Sequence, residues 1–419
     1  MAACRRSGSS PYRSGSRAEV RDGRLFGART GRARIAAGVP GAGGGSAHGT
    51  ALKRSGHCVR ILALALLVAC VVSSSGDAFG AAAAIDDAER LDVDGARLFL
   101  LTRGDDRSAP VILWLHGGPG GAERPLFRYF NGELEEHFVV VYYDQRGAGR
   151  SFDPEADPQK LTVARHLTDL DAVVDHLRNE LGARKITLVG HSWGAALGLL
   201  YAQAHPEKVS AIVAVAPLIS TRASQQQQYE FVEAEALRRQ DDDVLARLRQ
   251  IGAPPHESAA EVLAMERLAD GYGAVFHHRP GRIGPLLGSI VRGFVTAWEI
   301  PRLIRGNEVS LDAMNDELID LDLTHSVPEL DVPVIFMLGR YDRHVGSEIA
   351  AAYLAVLRAP VKKVFWFEHS SHNVPFEEPD RFDATIRAEL MATQLGVVAG
   401  CRRTASVRSR LRHAGSRSR

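Results

Sequence analysis

The 419-residue chain is poor in cysteine and has no long apolar run, although 45% of its residues are hydrophobic, which is ample for a buried core. All four cysteines lie in or beside the ends of the chain: Cys4, Cys58, Cys70 and Cys401. The middle of the chain therefore has no disulfide, no thiol nucleophile and no cysteine-ligated metal, so its stability must come from packing. The longest apolar run, residues 61–72, has 12 residues, too few to span a bilayer.

Acidic residues are almost missing from both ends of the chain. Residues 1–60 contain 12 Lys or Arg against 2 Asp or Glu, and residues 400–419 contain 7 against none. Both ends also lack hydrophobic periodicity, which predicts disorder there, including a basic tail over 396–419. The remaining residues hold 32 basic and 48 acidic groups. The folded part is therefore acidic and is not expected to bind nucleic acid.

The apolar run 61–72 follows basic residues and precedes small ones, as in a secretory signal peptide. Small residues at 78 and 80, in Ala78-Phe79-Gly80, offer a signal-peptidase site, while the sequence LVAC, ending at Cys70, resembles a bacterial lipoprotein box. We interpret 1–87 as a disordered basic extension plus a signal-like segment over 61–80. This predicts an exported protein that is periplasmic, secreted or attached to a membrane through a lipid on Cys70. The alternative is an N-terminal helix on a cytoplasmic protein.

Between the ends, short apolar runs alternate with longer amphipathic stretches, a pattern typical of a mostly parallel sheet covered by helices. The predicted strands are 98–102, 111–115, 138–143, 186–190, 209–215, 334–338 and 363–367. Helices are predicted over 162–181, where apolar residues recur in steps of three and four, and over 194–204. Strand signals then stop for more than a hundred residues, which predicts a helical lid over 218–330. The fold class is therefore α/β, with core segments 88–217 and 331–395.

The pentapeptide GHSWG lies between the apolar strand ITLV and a predicted helix. It matches the G-x-S-x-G pattern in the strand, turn and helix context where that pattern presents a nucleophilic serine. Gly190 and Gly194 leave room for the tight turn that such a serine needs. Ser192 is therefore the predicted nucleophile. The backbone N–H of Trp193, at the start of the helix, is a predicted oxyanion donor.

A second oxyanion donor is expected on the loop after an earlier strand. The strand VILWL runs directly into HGGPG at 116–120, whose glycines let backbone amides approach a reacting carbonyl closely. We predict that the N–H of Gly118 is this donor, with Gly117 as the next choice. His116 is interpreted as a residue that braces the loop.

A serine nucleophile needs a histidine base and an orienting acid later in the chain. Asp342 follows the strand VIFML and His372 follows the strand KVFWF, so both lie on loops at the carboxyl edge of the predicted sheet. They are the predicted acid and base. His369 is an alternative base, and Glu368 and His344 are interpreted as bystanders.

The loop DQRGAGRS follows the strand at 138–143. Its Asp144 and Arg146 are predicted to pair with each other and hold a loop that borders the site, an architectural role.

Together the motifs HGGPG, DQRGAGRS, GHSWG, GRYD and SHNVPFEEP resemble those of the proline iminopeptidase branch of the α/β-hydrolases, over residues 90–217 and 330–390. The resemblance implies an α/β-hydrolase fold with a lid. It also implies a serine exopeptidase that releases an N-terminal residue, often proline, from a short peptide or small molecule. The catalytic roles fall on Ser192, Asp342 and His372. No cofactor and no metal are implied.

An aminopeptidase of this kind needs lid carboxylates to hold the ammonium group of the substrate. Glu230, Glu233 and Glu235 are the candidates, and a solvated helix face is the alternative interpretation. Relatives with these motifs also cleave esters, so an esterase or lactonase is the alternative enzyme. A ligand-binding protein that has lost catalysis is the alternative from another class, and the intact triad argues against it.

Overall fold

The computed structural model describes residues 84–277 and 283–392. The predicted export segment with Cys70 and both basic ends lie outside the described residues. Within the described part of the chain, no helix is long and apolar enough to cross a membrane.

One sheet forms the centre of the described residues. Its eight strands are β1 (Ile85–Val93), β2 (Ala96–Gly104), β3 (Val111–Leu115), β4 (Val139–Asp144), β5 (Ile186–His191), β6 (Val209–Val215), β7 (Val334–Gly339) and β8 (Lys362–Phe367). They lie side by side in the order β1-β2-β4-β3-β5-β6-β7-β8. β2 is antiparallel to β1 and to β4, and every other neighbouring pair is parallel. The predicted fold class, a mostly parallel α/β-hydrolase sheet, is confirmed.

The strand that the sequence pattern missed is β1, and the predicted start of the core at residue 88 cuts through it. Its sequence, IDDAERLDV, is polar, and most of its side chains face solvent. An edge strand exposed in this way pairs through its backbone with β2 and needs no alternation of apolar residues. The seven predicted strands all occur, each within two residues of its predicted ends.

The described residues contain twelve α-helices. They are α1 (Arg124–Asn131), α2 (Val163–Glu180), α3 (Trp193–Ala204), α4 (Thr221–Arg239), α5 (Asp242–Ile251), α6 (Ala259–Gly271), α7 (Ile283–Val291), α8 (Ile300–Ile319), α9 (Leu323–Ser326), α10 (Ser347–Val356), α11 (Val374–Glu377) and α12 (379–392). The stretch from α4 to α9 lies between β6 and β7, and we refer to it as the lid. Helices α4, α5 and α6 share a small core of their own, which includes Val232, Leu248 and Met265.

Burial of both sheet faces explains why the central strands are continuous apolar runs. In β3, Leu113 and Leu115 pack into one core cluster, while Ile112 and Trp114 pack into the cluster on the other face. The ring of Trp114 stacks on Phe127 of α1 with 3.7 Å between centroids. A strand buried on both faces reads as an unbroken apolar run rather than an alternating one.

The register of the parallel strands places the site. Leu115, the last residue of β3, pairs with Gly190 of β5, and Gly339 of β7 pairs with Phe367 of β8. The loops that follow these four strands therefore leave the sheet at the same carboxyl edge, where ligands bind in open α/β sheets.

Candidate active site

Ser192 occupies a strained turn between β5 and α3. Its backbone has φ 54° and ψ −119°, a conformation that non-glycine residues rarely adopt. The turn depends on its glycines, since a Cβ on Gly190 would lie 2.5 Å from the carbonyl oxygen of Gly194. A Cβ on Gly194 would lie 2.1 Å from the carbonyl oxygen of Leu115. The sharp turn thus needs glycine on both sides of the serine.

Asp342 and His372 form a buried pair on the loops after β7 and β8. The Nδ1 of His372 lies 3.0 Å from Oδ2 of Asp342. The other carboxylate oxygen, Oδ1, accepts the backbone N–H groups of His344 at 2.8 Å and Val345 at 3.1 Å. Burial by itself would raise the pKa of Asp342, but the charge and hydrogen bond of His372, with the backbone bonds, hold that pKa below its ordinary value. Asp342 is therefore ionised and orients His372.

The structure brings the three predicted triad residues to one place. Ser192 and His372 line the same cavity, and Asp342 lies behind His372 with none of its surface exposed. Because Nδ1 of His372 is bonded to Asp342, its Nε2 is the nitrogen left to take a proton. The alternative base, His369, is exposed and is not among the residues lining this cavity. Glu368 is also exposed and pairs with Arg340.

Both glycines proposed as oxyanion donors line this cavity. A Cβ on Gly117 would lie 3.2 Å from Cβ of Ser192, so the backbone of the HGGPG loop is close to this serine. Trp193 is the first residue of α3, where a backbone N–H has no acceptor within the helix. Its side chain is buried and donates to Gln145 at 3.1 Å. The side chain is thus committed to Gln145, and the backbone N–H of Trp193 stays a predicted oxyanion donor.

His116 braces the two loops that border the site. Its Nε2 accepts the backbone N–H of Gln145 at 3.0 Å, and its Nδ1 lies 2.8 Å from the carbonyl oxygen of Gly117. Burial lowers the pKa of His116, so the ring is neutral and Nδ1 is the donor. This arrangement leaves no ring nitrogen for proton transfer with a substrate.

The predicted pairing of Asp144 with Arg146 is wrong. Arg146 donates to both oxygens of Asp169 on α2, at 2.6 and 2.7 Å. Asp144 instead accepts the backbone N–H of Arg150 at 2.9 Å and lies 3.4 Å from the guanidinium of Arg124. The two residues have different partners, because α1 supplies Arg124 and α2 supplies Asp169. The role of both is still architectural.

The cavity in front of Ser192 has a volume of about 540 Å³ and lies between the sheet edge and the lid. Much of its wall is apolar, including Leu126, Phe130, Leu263, Leu286, Leu303 and Phe376. Three carboxylates also line it: Glu123 before α1, Glu266 on α6 and Glu308 on α8. A cavity of this size, with both apolar and polar side chains in its wall, suits a small ligand.

The lid glutamates predicted from the sequence lie elsewhere. Glu230 and Glu233 are on the exposed face of α4, and Glu230 accepts from Gln226 on the same face at 2.7 Å. Glu235 pairs with Arg238 and Arg239 one turn further on. These three are absent from the cavity lining among the described residues. The three glutamates therefore lie on a solvated helix face, as in the alternative interpretation, because the buried face of α4 packs against the lid core.

Three residues beside the triad were given no role from the sequence: Glu123 and His191, which were not considered, and His344, which was interpreted as a bystander but lines the cavity. His344 lies edge-on to His372 with 4.6 Å between ring centroids. Burial, and then repulsion from His372, lower the pKa of His344 to about 4, so its ring is neutral. His191 occupies the first x of the G-x-S-x-G pattern, directly before Ser192, and Glu123 follows shortly after the glycine-rich loop. Their positions next to two motifs were the available signal.

Comparison with known proteins supports this architecture. The family model described as "alpha/beta hydrolase fold" matches residues 110–379. "Probable aminopeptidase YbaC" of Bacillus subtilis is 28% identical over 299 residues, 71% of this chain and 94% of that protein. "Proline iminopeptidase" of Xylella fastidiosa is 39% identical over 120 residues, 29% of this chain and 36% of that protein.

A solved structure shows the same fold over nearly its whole length. The proline iminopeptidase-related protein from Thermus thermophilus has a TM-score of 0.55 and 21% identity, covering 74% of this chain and 98% of that chain. The chain belongs to the α/β-hydrolase fold family, and its similarities lie in the proline iminopeptidase branch.

Proposed function

We propose that the protein is a serine hydrolase that removes the N-terminal residue from short peptides, an aminopeptidase of the proline iminopeptidase type. The observation that carries the proposal is the placement of Ser192, on its strained turn, in one cavity with His372, whose Nδ1 lies 3.0 Å from the buried Asp342. The relatives named as aminopeptidase and proline iminopeptidase support the choice of substrate class.

In the proposed reaction, Ser192 Oγ attacks the carbonyl carbon of the substrate amide while Nε2 of His372 takes the hydroxyl proton. The backbone N–H groups of Trp193 and of Gly118 or Gly117 hold the negative oxygen that forms. The C–N bond then breaks as His372 returns the proton to the leaving amine. Water next attacks the acyl-enzyme and gives a proton to His372, which passes it to the departing serine.

Recognition of a free amine requires a carboxylate near the scissile bond, and Glu266 is our choice. It is half-buried on α6, lines the cavity, and its charge acts on His344, which itself lies against His372. Glu308 lines the same cavity but is exposed and lies 3.3 Å from Arg305. A half-buried carboxylate holds an ammonium group more strongly than an exposed one already paired with an arginine.

Ester hydrolysis is the second candidate function, and the apolar wall of the cavity favours it. Leu126, Leu263, Leu286 and Phe376 offer a surface for an acyl chain, which an ester substrate would supply without any amine. The same triad chemistry serves both substrates, so the distinction depends on the amine.

Hydrolysis of matched substrates by the full-length chain tests the proposal. Proline, alanine and leucine p-nitroanilides are compared with N-acetyl-leucine p-nitroanilide and with p-nitrophenyl acetate and butyrate, using Ser192→Ala as control. We expect turnover of the anilides with a free amine, a large loss on acetylation, and a loss of several orders of magnitude in the Ser192→Ala variant. Turnover of esters alone would establish the second candidate. Unchanged turnover by Ser192→Ala would refute the serine mechanism.

A further inference from the structure

His191 is buried between two groups that accept hydrogen bonds and donate none. Its Nδ1 lies 2.7 Å from Oε1 of Glu123, and its Nε2 lies 3.0 Å from the backbone carbonyl oxygen of His372. The side chain of His191 is 3% exposed and that of Glu123 is 14% exposed. A neutral imidazole has one N–H and can satisfy one of these acceptors, whereas an imidazolium satisfies both.

We propose that His191 is held as an imidazolium by Glu123, and that this buried ion pair is a positioning device for the base His372. The positioning role rests on the proposed serine hydrolase function, while the charge of His191 does not. Neither residue touches the reacting atoms in this scheme. They act on the backbone that carries the base.

The backbone of His372 is held from two sides. Its carbonyl oxygen faces His191, and its N–H donates to the carbonyl oxygen of Val275 in the lid at 3.2 Å. The side chain of Asn373 also donates to Val275, at 3.0 Å. A hydrogen bond from a charged donor is stronger than one between neutral groups. The imidazolium therefore supplies the stronger bond of this backbone clamp and fixes the point from which the base projects.

The groups around His191 favour its charge. Glu123 approaches from the segment before α1, and Asp342 adds a second negative charge from the loop after β7. Burial alone would lower the pKa of His191, but the charge and hydrogen bond of Glu123, with the bond to the His372 carbonyl, raise it above its ordinary value.

Two other histidines face the same cluster. His116, from the loop after β3, and His344, from the loop after β7, are both neutral because burial lowers the pKa of each. The positive charge beside Ser192 is therefore carried by His191. Its ring centroid lies 4.7 Å from that of His372, while Glu123 contacts the nitrogen at the opposite end of the His191 ring. The imidazolium thus lies beside the ring of His372.

Nitrogen NMR of the full-length chain labelled with ¹⁵N-histidine tests the charge directly. We expect one buried histidine with both ring nitrogens protonated at pH 7, and we expect its signals to disappear in a His191→Gln variant. In Glu123→Gln the amide donates to Nδ1, so His191 becomes neutral and one ring nitrogen loses its proton. The wild-type spectrum decides the charge without relying on a variant to fold. An unprotonated ring nitrogen of His191 at pH 7 would overturn the proposal, since Glu123 would then hold the proton.

The pH dependence of p-nitrophenyl butyrate hydrolysis tests the positioning role. In Glu123→Gln we expect the acidic limb of kcat/KM to move to higher pH by about 0.5 to 1 unit, because the cation near His372 is lost. We also expect kcat to fall while KM is unchanged. A superimposable pH profile would overturn the positioning role.

Glu89→Gln is the matched control. Glu89 and His176 form a histidine–glutamate pair of similar length, 2.9 Å, on the surface. Loss of the Glu89–His176 pair should alter neither the His191 signals nor the pH profile. A shift of the acidic limb in Glu89→Gln as large as in Glu123→Gln would overturn the proposal. A chain that hydrolyses no substrate but shows the His191 imidazolium supports the ion pair while refuting the proposed function.

Discussion

Asp342→Asn separates the orienting role of this carboxylate from its structural role. Oδ1 of Asp342 accepts two backbone N–H groups, at 2.8 and 3.1 Å, and Oδ2 faces Nδ1 of His372. In the variant, the amide oxygen must keep the two backbone donors, because the opposite orientation sets an NH₂ group against two N–H groups. The NH₂ group then faces His372 and donates to its Nδ1. This places the single ring proton of His372 on Nε2.

The magnitude follows from the tautomer. In the proposed reaction Nε2 takes the proton of Ser192, and in the variant it already carries one. We expect kcat to fall by about 10⁴-fold, as the corresponding change does in a serine protease, or about 5 kcal/mol of activation free energy. The backbone bonds survive, so the free energy of unfolding should fall by no more than about 3 kcal/mol. Asp342→Ala leaves two buried N–H groups unpaired and should be the less stable variant.

The assay is the kcat of p-nitrophenyl butyrate hydrolysis, with folding followed by circular dichroism. Glu368→Gln is the control, since Glu368 lies at the end of β8 but pairs with Arg340 on the surface. That variant should keep its activity. A folded Asp342→Asn protein with more than about a tenth of the wild-type kcat would refute the orienting role of Asp342.

Three further predictions follow from the packing and charge of single residues. Gly194→Ala should lower the free energy of unfolding, measured by denaturant titration, by about 1–3 kcal/mol and should lose activity, because its Cβ meets backbone at 2.1 Å. Gly132→Ala, whose Cβ has nothing within 4 Å, is the control. Glu266→Gln should raise the KM of leucine p-nitroanilide about 10- to 100-fold and leave the ester KM unchanged, whereas Glu230→Gln on the exposed face of α4 should change neither. Burial raises the pKa of Asp383 to about 7, so its contribution to stability is present at acidic pH and lost as the pH rises through 7. Asp383→Asn should therefore raise the melting temperature relative to the wild type more at pH 8 than at pH 5, and an equal effect at both would contradict the shift.

The core strands and the triad positions were predictable because they depend on local pattern. A strand buried on both faces is a continuous apolar run, and a catalytic residue of a parallel sheet follows such a run directly. Ser192, Asp342 and His372 each do so, and the structure brings them together at one edge. The polar edge strand β1 carried no such pattern and was missed.

Partners between distant segments were not predictable. Arg146 pairs with Asp169 rather than Asp144 because α2 lies against the loop, and that packing has no signature within either segment. The prediction that Glu230, Glu233 and Glu235 line the cavity was wrong for the same reason. Glu230 and Glu266 are both carboxylates on lid helices, and only the rotation of α4 and α6 about their axes decides which one meets the cavity.

The sequence alone determined seven of the eight strands, the serine turn and the positions of Ser192, Asp342 and His372, because each strand and each of these positions is marked within a dozen neighbouring residues. The tertiary structure decided which charges surround them. His191 and His344 lie against His372, and Glu123 lies against His191, only because the carboxyl ends of β3, β5, β7 and β8 and the loops after them converge at one edge.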